Sequence, residues 1–223
     1  MPEKKYSNQY AKKETIPADQ IPEIRKASFV TSMAAYGDFE GRGLPQIAVA
    51  GKSNVGKSSL INCLTRQSKL ARTSSTPGKT RLINVFLLND AFHLIDLPGY
   101  GYAKVSKSEQ DSWGTMMQGY FESAEELRHV FCLVDIRHEP TQDDLQMNQY
   151  LREMGIPFTV VATKSDKISR GARMKQLAPI CRALLVQPWQ VICFSSDDRS
   201  GRPELLMKID SVLQEQNEES PAE

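Results

Sequence analysis

The chain has 223 residues, of which 40% are hydrophobic and 25% are charged, and its formal net charge is +1. This composition fits one globular domain with a sizeable core plus short tails, and it excludes a partner selected by overall charge alone. No apolar run approaches the roughly 18 residues of a membrane span, and no lipidation motif or basic amphipathic helix indicates direct membrane anchoring.

Polar ends flank the predicted domain. Residues 1–22 contain several lysines and predict a flexible N-terminal arm, and residues 217–223 predict an acidic, frayed C-terminal tail. The globular domain therefore spans residues 23–216. No internal repeat divides it further.

The cysteines and the N-terminus indicate a cellular compartment. No cysteine pair has C-x-x-C spacing, and each of the four lies among apolar residues: Cys63, Cys132, Cys181 and Cys193. Reduced, buried thiols of this kind are typical of a cytosolic protein. The charged N-terminus does not resemble a signal peptide. We expect a cytoplasmic protein, and we expect it to be a monomer.

Buried strands and helices alternate along the predicted domain. Residues 24–35 mix apolar and polar side chains, and we expect them to pack on the edge of the domain. Strands are predicted at 46–50, 82–88, 91–95, 130–134, 158–162 and 191–194. Helices are predicted at 58–66, 142–154, 173–185 and 203–214.

This order of elements defines a fold class. Strands that are buried on both faces and separated by helices predict a mostly parallel sheet with helices on both faces. Asn89-Asp90, between the second and third strands, predicts a tight antiparallel hairpin, which makes the sheet mixed. The prediction is therefore an α/β fold with a six-stranded, mostly parallel sheet.

The most informative motif lies between the first predicted strand and the first predicted helix. It matches G-x-x-x-x-G-K-[ST], the phosphate-binding loop (P-loop) of nucleoside triphosphatases, and comprises Gly51, Lys52, Ser53, Asn54, Val55, Gly56, Lys57 and Ser58. Glycines let successive backbone N–H groups point at one anion. Lys57 offers a charge to the β- and γ-phosphates, and Ser58 offers a hydroxyl to Mg²⁺. The positive end of the following helix faces the phosphates.

A second motif follows the strand predicted at 91–95 and comprises Asp96, Leu97, Pro98 and Gly99. A carboxylate at the carboxyl end of a strand beside a P-loop can hold the Mg²⁺ shell. The backbone N–H of Gly99 can approach the γ-phosphate. These residues therefore predict the D-x-x-G motif of a GTPase.

A third motif follows the strand predicted at 158–162 and comprises Thr163, Lys164, Ser165 and Asp166. It resembles the [NT]-K-x-D motif with which GTPases recognise their base. Asp166 can accept hydrogen bonds from guanine N1–H and the 2-amino group, which adenine does not offer. Lys164 would lie along the base and support the P-loop. Thr163 replaces the commoner asparagine, but its hydroxyl can still make the supporting hydrogen bond.

Two further segments complete the predicted nucleotide site. Phe194, Ser195 and Ser196 resemble the short loop whose backbone N–H contacts guanine O6. Residues 73–80 form a polar loop with glycine and proline, from which a threonine ligates Mg²⁺ in GTPases. We choose Thr80 over Thr76 for this role. The predicted nucleotide contacts of this region are Gly78, Lys79, Thr80, Arg81 and Leu82.

Basic residues are unevenly distributed along the chain. Residues 58–89 contain no Asp or Glu but include Arg66, Lys69, Arg72, Lys79 and Arg81. A basic surface beside a nucleotide site is compatible with contact to RNA phosphates. A solvated basic face that serves the triphosphate explains the same charges.

Together, these residues resemble the EngB family (also called YihA or YsxC), a group of bacterial GTPases in the TrmE-Era-EngA-EngB-Septin-like class. The resemblance runs from about Phe29 to the last helix. Its marks are the P-loop with Ser59, residues 71–80, 96–103 (Asp-Leu-Pro-Gly-Tyr-Gly-Tyr-Ala), 135–138 (Asp-Ile-Arg-His) and 163–166. The run Leu-Pro-Gly-Tyr-Gly-Tyr-Ala is the most diagnostic of them.

The resemblance implies a function as well as a fold. It implies a magnesium-dependent GTPase that binds GTP and GDP and acts on the precursor of the large ribosomal subunit or its rRNA. It also implies a link to cell division and septation. The predicted metal ligands are Ser58 and Thr80. The residues expected to act in hydrolysis are Lys57, Thr80, Asn54 and Gly99.

The residue directly after the D-x-x-G motif predicts slow GTP hydrolysis. Ras-type enzymes orient the attacking water with a glutamine directly after D-x-x-G, whereas this chain has Tyr100 there. A phenol does not reproduce the paired donor and acceptor of an amide. In related GTPases an asparagine at the position of Asn54 helps to bind K⁺, so K⁺ stimulation is a hypothesis here. Local hydrogen bonding by Asn54 is the alternative.

Three other functions remain open at this stage. A P-loop ATPase or small-molecule kinase would not use Asp166 to select guanine. An RNA-binding module would bind RNA with the same affinity whichever nucleotide is present. A membrane-associated division switch would need an anchor.

Overall fold

A seven-stranded β-sheet forms the centre of the fold. The structure, a computed structural model, describes residues 17–34, 39, 43–71, 82–101 and 107–219, with side chains at all of these except 18, 107–113 and 216–219. The strands are β1 (Ala27–Met33), β2 (Gln46–Gly51), β3 (Ile83–Leu88), β4 (Phe92–Asp96), β5 (Leu127–Asp135), β6 (Phe158–Thr163) and β7 (Val191–Cys193). Their order across the sheet is β1-β3-β4-β2-β5-β6-β7.

Helices cover both faces of this sheet. The α-helices of the described residues are α1 (Lys57–Thr65), α2 (Lys107–Ser123), α3 (Gln142–Glu153), α4 (Arg170–Ala183) and α5 (Arg202–Glu219). Ile47 and Val49 of β2 pack with α1 and α5, whereas Ala48 and Ala50 pack with α2 and α3. Because successive side chains of a strand point to opposite faces, these two clusters lie on opposite sides of the sheet.

The predicted α/β class and the mixed sheet are confirmed. β2 pairs in parallel with β4 and β5, and β6 pairs in parallel with β5 and β7. The hairpin between β3 and β4 is antiparallel, as Asn89-Asp90 predicted. The number of strands was predicted wrongly, because the sheet has seven strands and not six.

The additional strand is β1, in the segment expected only to pack on the edge. It pairs antiparallel with β3, and its register is irregular between Phe29 and Thr31. Phe29 is 52% exposed and Val30 is 42% exposed. An edge strand with an irregular register does not show the alternating pattern that identifies a half-buried strand in a sequence.

The turn between β3 and β4 also holds the start of β1. Asn89 and Asp90 have φ angles of 52° and 54°, a left-handed conformation that asparagine and aspartate tolerate. The Asn89 side-chain oxygen accepts hydrogen bonds from the backbone N–H groups of Arg25 (2.8 Å) and Lys26 (3.1 Å). The turn residues therefore fix both the hairpin and the edge strand.

The helix ends differ by a few residues from the predicted ones. α4 begins at Arg170 and not at 173, because the Ser169 hydroxyl accepts a hydrogen bond from Ala172 N and caps the helix. α5 continues to Glu219, inside the segment that was predicted to be a tail. None of the described helices is long and apolar enough to cross a membrane.

The cysteines are free thiols, as their sequence context predicted, but only two of the four are buried as expected. Cys132 and Cys181 are buried, and Cys63 and Cys193 are half-buried. Burial raises the pKa of the Cys132 thiol far above its usual range. A neutral, buried thiol behaves as a small apolar side chain in the core.

The parallel strands bring the predicted motifs to one edge. The P-loop follows β2, Asp96 ends β4, and Thr163 ends β6. Residues 194–196 directly follow β7. Because these strands run in the same direction, their carboxyl ends meet at one edge, where α/β proteins bind ligands.

One buried histidine makes the stability of this fold depend on pH. Burial, with a smaller contribution from the charge of Lys208, lowers the pKa of His129 to about 3. Its Nε2 atom lies 2.9 Å from the Thr159 hydroxyl. The folded protein therefore keeps this imidazole neutral at a pH where the unfolded chain binds a proton.

We expect acidification to destabilise the protein through His129. Between about pH 6 and pH 3 the unfolded state binds the extra proton, so the free energy of unfolding falls by about 1.4 kcal/mol per pH unit. Urea denaturation at pH 7 and pH 5 measures this slope. His129→Gln should flatten it, whereas His138→Gln, at an exposed position, should not. Equal slopes for the wild type and His129→Gln would contradict the assignment.

Candidate nucleotide-binding site

The P-loop connects β2 to α1 through a strained backbone. Asn54 has a φ of 61° and Gly56 a φ of 114°, and α1 begins at the next residue. At Gly51, a Cβ atom would lie 2.9 Å from both the Leu133 carbonyl oxygen and Val55 Cγ1. Glycine is therefore required at Gly51 by close packing and favoured at Gly56 by its backbone angle.

Lys57 lies over this loop. Its Nζ atom donates to the Gly51 carbonyl at 3.2 Å. Val55 N donates to the Lys52 carbonyl at 3.1 Å, which tightens the turn between them. The ammonium group is thus held at the start of the loop, beside the N-terminus of α1, where positive charge and backbone N–H groups favour an anion.

Gly99 lies against the P-loop. A Cβ atom at this position would lie 2.8 Å from Ser53 Oγ and 2.9 Å from Lys57 Nζ. The segment reaches this place because Leu97 N donates to the Val49 carbonyl at 3.1 Å and continues the pairing with β2. The second motif is therefore in direct contact with the first, as the D-x-x-G prediction requires.

Asp96 is a buried carboxylate beside Lys57. Burial raises the pKa of Asp96, while the charge of Lys57 and a hydrogen bond from Asn84 lower it. Asn84 Nδ2 lies 3.5 Å from one carboxylate oxygen. The other oxygen, Oδ1, is buried and has no hydrogen-bond partner among the described residues. A buried oxygen of this kind is free to accept a hydrogen bond from water, including the water of a hydrated cation.

The donor set fits Mg²⁺. Among the described residues no three His, Cys, Asp or Glu side chains cluster into a metal-binding group. Mg²⁺ is usually held by one or two protein oxygens together with waters and substrate phosphates, and not by a complete protein cage. Asp96 and the Ser58 hydroxyl in the first turn of α1 are compatible with that arrangement.

Thr163 and Lys164 hold the P-loop from the neighbouring strand. Thr163 Oγ1 lies 2.7 Å from the Val55 carbonyl oxygen and 3.1 Å from the Val134 carbonyl oxygen. Lys164 Nζ donates to the Asn54 carbonyl at 2.9 Å. The Thr163 hydroxyl and the Lys164 ammonium group therefore both make hydrogen bonds to backbone carbonyls of the P-loop.

Asp166 presents an ionised carboxylate at the same edge. A hydrogen bond from Lys167, which outweighs partial burial, lowers the pKa of Asp166. Lys167 Nζ lies 2.8 Å from Asp166 Oδ2 and 3.1 Å from Asp197 Oδ2. Asp166 is therefore an acceptor at neutral pH, the state needed to receive two N–H donors.

The loop after β7 joins this motif. Ser165 N donates to the Phe194 carbonyl at 3.1 Å, and the Phe194 ring is buried in the core. Ser195 N donates to the Ser200 carbonyl at 3.0 Å, and Ser195 Oγ accepts from Asp197 N at 3.1 Å. Because the Ser195 amide is used within its own loop, Ser196 is the better candidate for contact with a base oxygen.

Asp135 was not given a role by the sequence, although its motif was noted. Arg137 Nε and Nη2 donate to its two oxygens at 2.9 and 2.7 Å, and Lys164 Nζ lies 3.0 Å from Oδ2. Partial burial opposes ionisation, but these hydrogen bonds outweigh it and hold the pKa of Asp135 below its usual range. Asp135 is the last residue of β5, which pairs with the P-loop strand β2, and a carboxylate at that strand end is the signal that could have found it.

Four predicted site residues lie outside the described residues: Gly78, Lys79, Thr80 and Arg81. Leu82 is described and directly precedes β3. The remaining predicted site residues lie at the carboxyl ends of β2, β4 and β6, in the segments that follow β2, β4, β6 and β7, or in the first turn of α1. The structure therefore brings together the P-loop, D-x-x-G and T-K-x-D motifs.

Comparisons with known proteins agree with this geometry. A family model described as "50S ribosome-binding GTPase" matches residues 46–164. "Probable GTP-binding protein EngB" of Desulfitobacterium hafniense (strain DSM 10664 / DCB-2) is 49% identical over 201 residues, which cover 88% of this chain and 98% of that protein. Its counterpart in Bacillus subtilis (strain 168) is 46% identical over 191 residues, with shares of 85% and 98%.

A solved structure shows the same similarity in three dimensions. "Crystal structure of a probable GTP-binding protein engB" is 27% identical, has a TM-score of 0.64, and covers 76% of this chain and 99% of its own. The fold and the matched motifs define a P-loop GTPase, which binds a guanine nucleotide and hydrolyses GTP. Within that class, the chain belongs to the EngB family of GTP-binding proteins.

We expect Gly99→Ala to weaken binding of a GTP analogue with little effect on GDP. The new methyl group would push the Gly99 segment away from Ser53 and Lys57. Loss of one hydrogen bond to a charged group corresponds to a roughly tenfold weaker Kd. Isothermal titration with each nucleotide in excess Mg²⁺ measures both affinities.

Gly119→Ala is the matched control for this substitution. Gly119 lies in α2, and a Cβ atom there would meet nothing within 4 Å. Alanine also favours a helix over glycine. This variant should bind both nucleotides like the wild type. A Gly99→Ala protein with unchanged affinity for the GTP analogue would contradict the predicted role of Gly99.

Proposed function

We propose that this GTPase is a magnesium-dependent switch in the assembly of the large ribosomal subunit. The observation that carries the proposal is the match of residues 46–164 to a family model described as 50S ribosome-binding GTPase. That range contains the P-loop, the Asp96–Gly99 segment and the first part of the base-recognition loop.

We assign phosphate binding to the P-loop and Gly99. Lys57 Nζ and the backbone N–H groups of residues 54–58 bind the β- and γ-phosphates, where they offset the negative charge. We propose that the Gly99 N–H binds the γ-phosphate. The close approach of Gly99 to Lys57 supports this assignment. The nucleotide contacts of this part comprise Gly51, Lys52, Ser53, Asn54, Val55, Gly56, Lys57, Ser58, Leu97, Pro98 and Gly99.

We assign the metal to Ser58, Thr80 and Asp96. Ser58 and Thr80 would ligate Mg²⁺ directly, and Asp96 would hold it through water, which fits its unpartnered buried oxygen. When bound, Mg²⁺ neutralises the charge on the β- and γ-phosphate oxygens. Removal of Mg²⁺ by a chelator is therefore expected to abolish hydrolysis.

We assign guanine selection to Asp166. Its carboxylate accepts the N1–H and 2-amino hydrogens, and the backbone N–H of Ser196 donates to O6. Lys164 lies along the base while it holds the Asn54 carbonyl, and Asp135 fixes the ammonium end of Lys164. Asp135 is thus a positioning residue for the base site.

We propose that residues 72–80 and 100–107 are the two switch segments. The γ-phosphate orders them and hydrolysis releases them, which changes affinity for the partner. Most of these residues lie outside the described ranges. Intrinsic hydrolysis is slow in this proposal, because Tyr100 stands where Ras-type enzymes have glutamine.

We propose that K⁺ stimulates the enzyme through Asn54. The Asn54 side chain is exposed and makes no hydrogen bond with the described residues, so local bonding within the loop does not account for it. An amide oxygen near the phosphates can ligate a cation that adds positive charge there. Equal turnover in KCl and NaCl would remove this part of the proposal.

The ribosomal partner is supported by the family description more than by charge. Of the basic residues at 58–89, Arg66 is paired with Glu23 at 2.8 Å. Arg72, Lys79 and Arg81 lie outside the described residues. Direct contact with rRNA is therefore compatible with the exposed Lys69 but does not depend on a continuous basic surface.

The proposal includes the biological setting that the resemblance implies. It places the protein in the cytoplasm, as a monomer with one GTPase domain at 23–216 and without direct membrane anchoring. The link to cell division and septation belongs to the same proposal. An RNA-binding module that is indifferent to the bound nucleotide is the alternative.

We expect Asp166→Asn to weaken GTP binding roughly a hundredfold, because two hydrogen bonds to a charged acceptor are lost. The same variant should prefer xanthosine triphosphate, whose base presents an acceptor to the new amide. Titration of both nucleotides measures the change in specificity.

Asp197→Asn is the matched control. Asp197 also pairs with Lys167 but is exposed, so its replacement tests the ion pair without the proposed base contact. Its GTP affinity should stay within about twofold of the wild type, as for most exposed substitutions. Equal binding of GTP and ATP by the wild type would contradict the guanine assignment.

Co-sedimentation with large ribosomal subunits tests the switch. The chain loaded with a non-hydrolysable GTP analogue should sediment with the subunit, and the chain loaded with GDP should mostly remain in the supernatant. In the same assay, sedimentation of the Asp166→Asn variant should depend on xanthine nucleotides in place of guanine nucleotides. Equal sedimentation in both nucleotide states would favour the RNA-binding module, and no sedimentation in either would refute the ribosomal partner.

A further inference from the structure

The side chain of Tyr100 is turned toward α3. Its hydroxyl donates a 2.9 Å hydrogen bond to Asp144 Oδ1. Tyr100 is 6% exposed and Asp144 is 7% exposed, so this contact is shielded from water. Tyr100, which stands where Ras-type enzymes have glutamine, is therefore hydrogen-bonded to a residue of α3.

Asp144 connects this contact to the start of α3. Its second oxygen accepts hydrogen bonds from Thr141 N and Thr141 Oγ1, both at 2.8 Å. Thr141 is the N-cap of α3, and the two residues form a capping box. Asp144 is thus held by the helix end on one side and by the Tyr100 phenol on the other.

The backbone of Tyr100 is attached to the P-loop. The Tyr100 carbonyl accepts a hydrogen bond from Ser53 N at 3.0 Å, and Tyr100 forms a parallel bridge with Lys52. Gly99, the preceding residue, lies against Ser53 and Lys57. The Gly99–Tyr100 segment is therefore fixed to the P-loop by its backbone and to α3 by a side chain.

The next residue is also confined between the same elements. Gly101 has a φ of 77°, and a Cβ atom there would lie 3.1 Å from Asp143 Oδ2 and 3.1 Å from Lys52 Cγ. Gly101 therefore lies in a narrow space between the P-loop and α3. A shift of Gly99 is consequently coupled to the first turn of α3.

We propose that Tyr100 and Asp144 are a positioning pair for GTP hydrolysis, which holds the Gly99 N–H at the γ-phosphate and links that contact to α3. Tyr100 acts through Gly99 and does not orient the attacking water. Burial and the Asp144 charge keep the pKa of Tyr100 well above its usual value, so the phenol remains a donor. This inference rests on the proposed contact between Gly99 and the γ-phosphate.

Tyr100→Phe in the full chain tests the pair, because it removes only the hydroxyl. The Kd for a non-hydrolysable GTP analogue should rise about fivefold or more, in the range of typical coupling between sites. The Kd for GDP should stay within about twofold, since GDP has no γ-phosphate for Gly99. The kcat for GTP should fall as well.

Three variants separate positioning from a structural role. Tyr150→Phe removes another tyrosine hydroxyl of the same region, which is buried without a partner among the described residues, and should change neither affinity. Thr141→Ala breaks the cap but keeps the Tyr100–Asp144 contact, so it should lower the melting temperature without a selective effect on GTP. Asp144→Ala loses both the cap and the acceptor of the Tyr100 hydroxyl. Of these two α3 variants, only Asp144→Ala should therefore also lose affinity for the GTP analogue selectively.

The outcomes are distinguishable. Equal loss of GTP-analogue and GDP affinity in Tyr100→Phe, or no loss in either, would overturn the positioning pair. The same is true if Thr141→Ala and Asp144→Ala have equal nucleotide selectivity. Failure of Gly99→Ala to weaken the GTP analogue would instead refute the γ-phosphate assignment. Asp144→Ala removes the same hydrogen bond from the α3 side. If Tyr100→Phe does not fold, the ratio of GTP-analogue to GDP affinity in Asp144→Ala decides whether the pair has a positioning role.

Discussion

The 2.7 Å hydrogen bond between the Thr163 hydroxyl and the Val55 carbonyl joins the base-recognition motif to the P-loop. Asn54 has a left-handed backbone conformation, which persists in a residue other than glycine only where surrounding contacts hold it. Thr163 and Lys164 provide those contacts from β6, through carbonyl groups of the P-loop. The same two residues begin the loop that ends at Asp166. Phosphate binding and base recognition therefore depend on one set of hydrogen bonds.

The parallel pairing of β2 with β4 and β5, and of β5 with β6, determines which residues surround that set. It brings Asp96 and Gly99 to Lys57 on one side, and Asp135 to Lys164 on the other. Charges are balanced locally: Asp96 faces Lys57, Asp135 faces Arg137 and Lys164, and Asp166 faces Lys167. A nearby positive charge lowers the pKa of a carboxylate, which opposes the rise that burial causes. Three of these partners lie in or directly after a motif of the nucleotide site: Lys57 in the P-loop motif, Lys164 in the T-K-x-D motif, and Lys167 directly after it.

Much of the fold was predictable because its strands are buried on both faces. Continuous apolar runs at β2, β5 and β6 are visible in a sequence, and the Asn89-Asp90 turn predicts its hairpin. β1 was missed because it is a half-exposed edge strand with an irregular register. The three motifs were found because each needs fixed residue types at short spacing. Asp135 and the Tyr100–Asp144 contact were missed because no short spacing marks them.

The sequence alone determined the phosphate-binding loop, the order of the motifs along the chain and the EngB resemblance, since these depend on residue identity within short segments of ten or fewer positions. The tertiary structure decided which side chains meet. Thr163 and Val55 are 108 residues apart, and Tyr100 and Asp144 are 44 apart. Local propensity carries no information about the direction of Tyr100. That direction follows from burial against α3, where a phenol needs an acceptor and a capping carboxylate provides one.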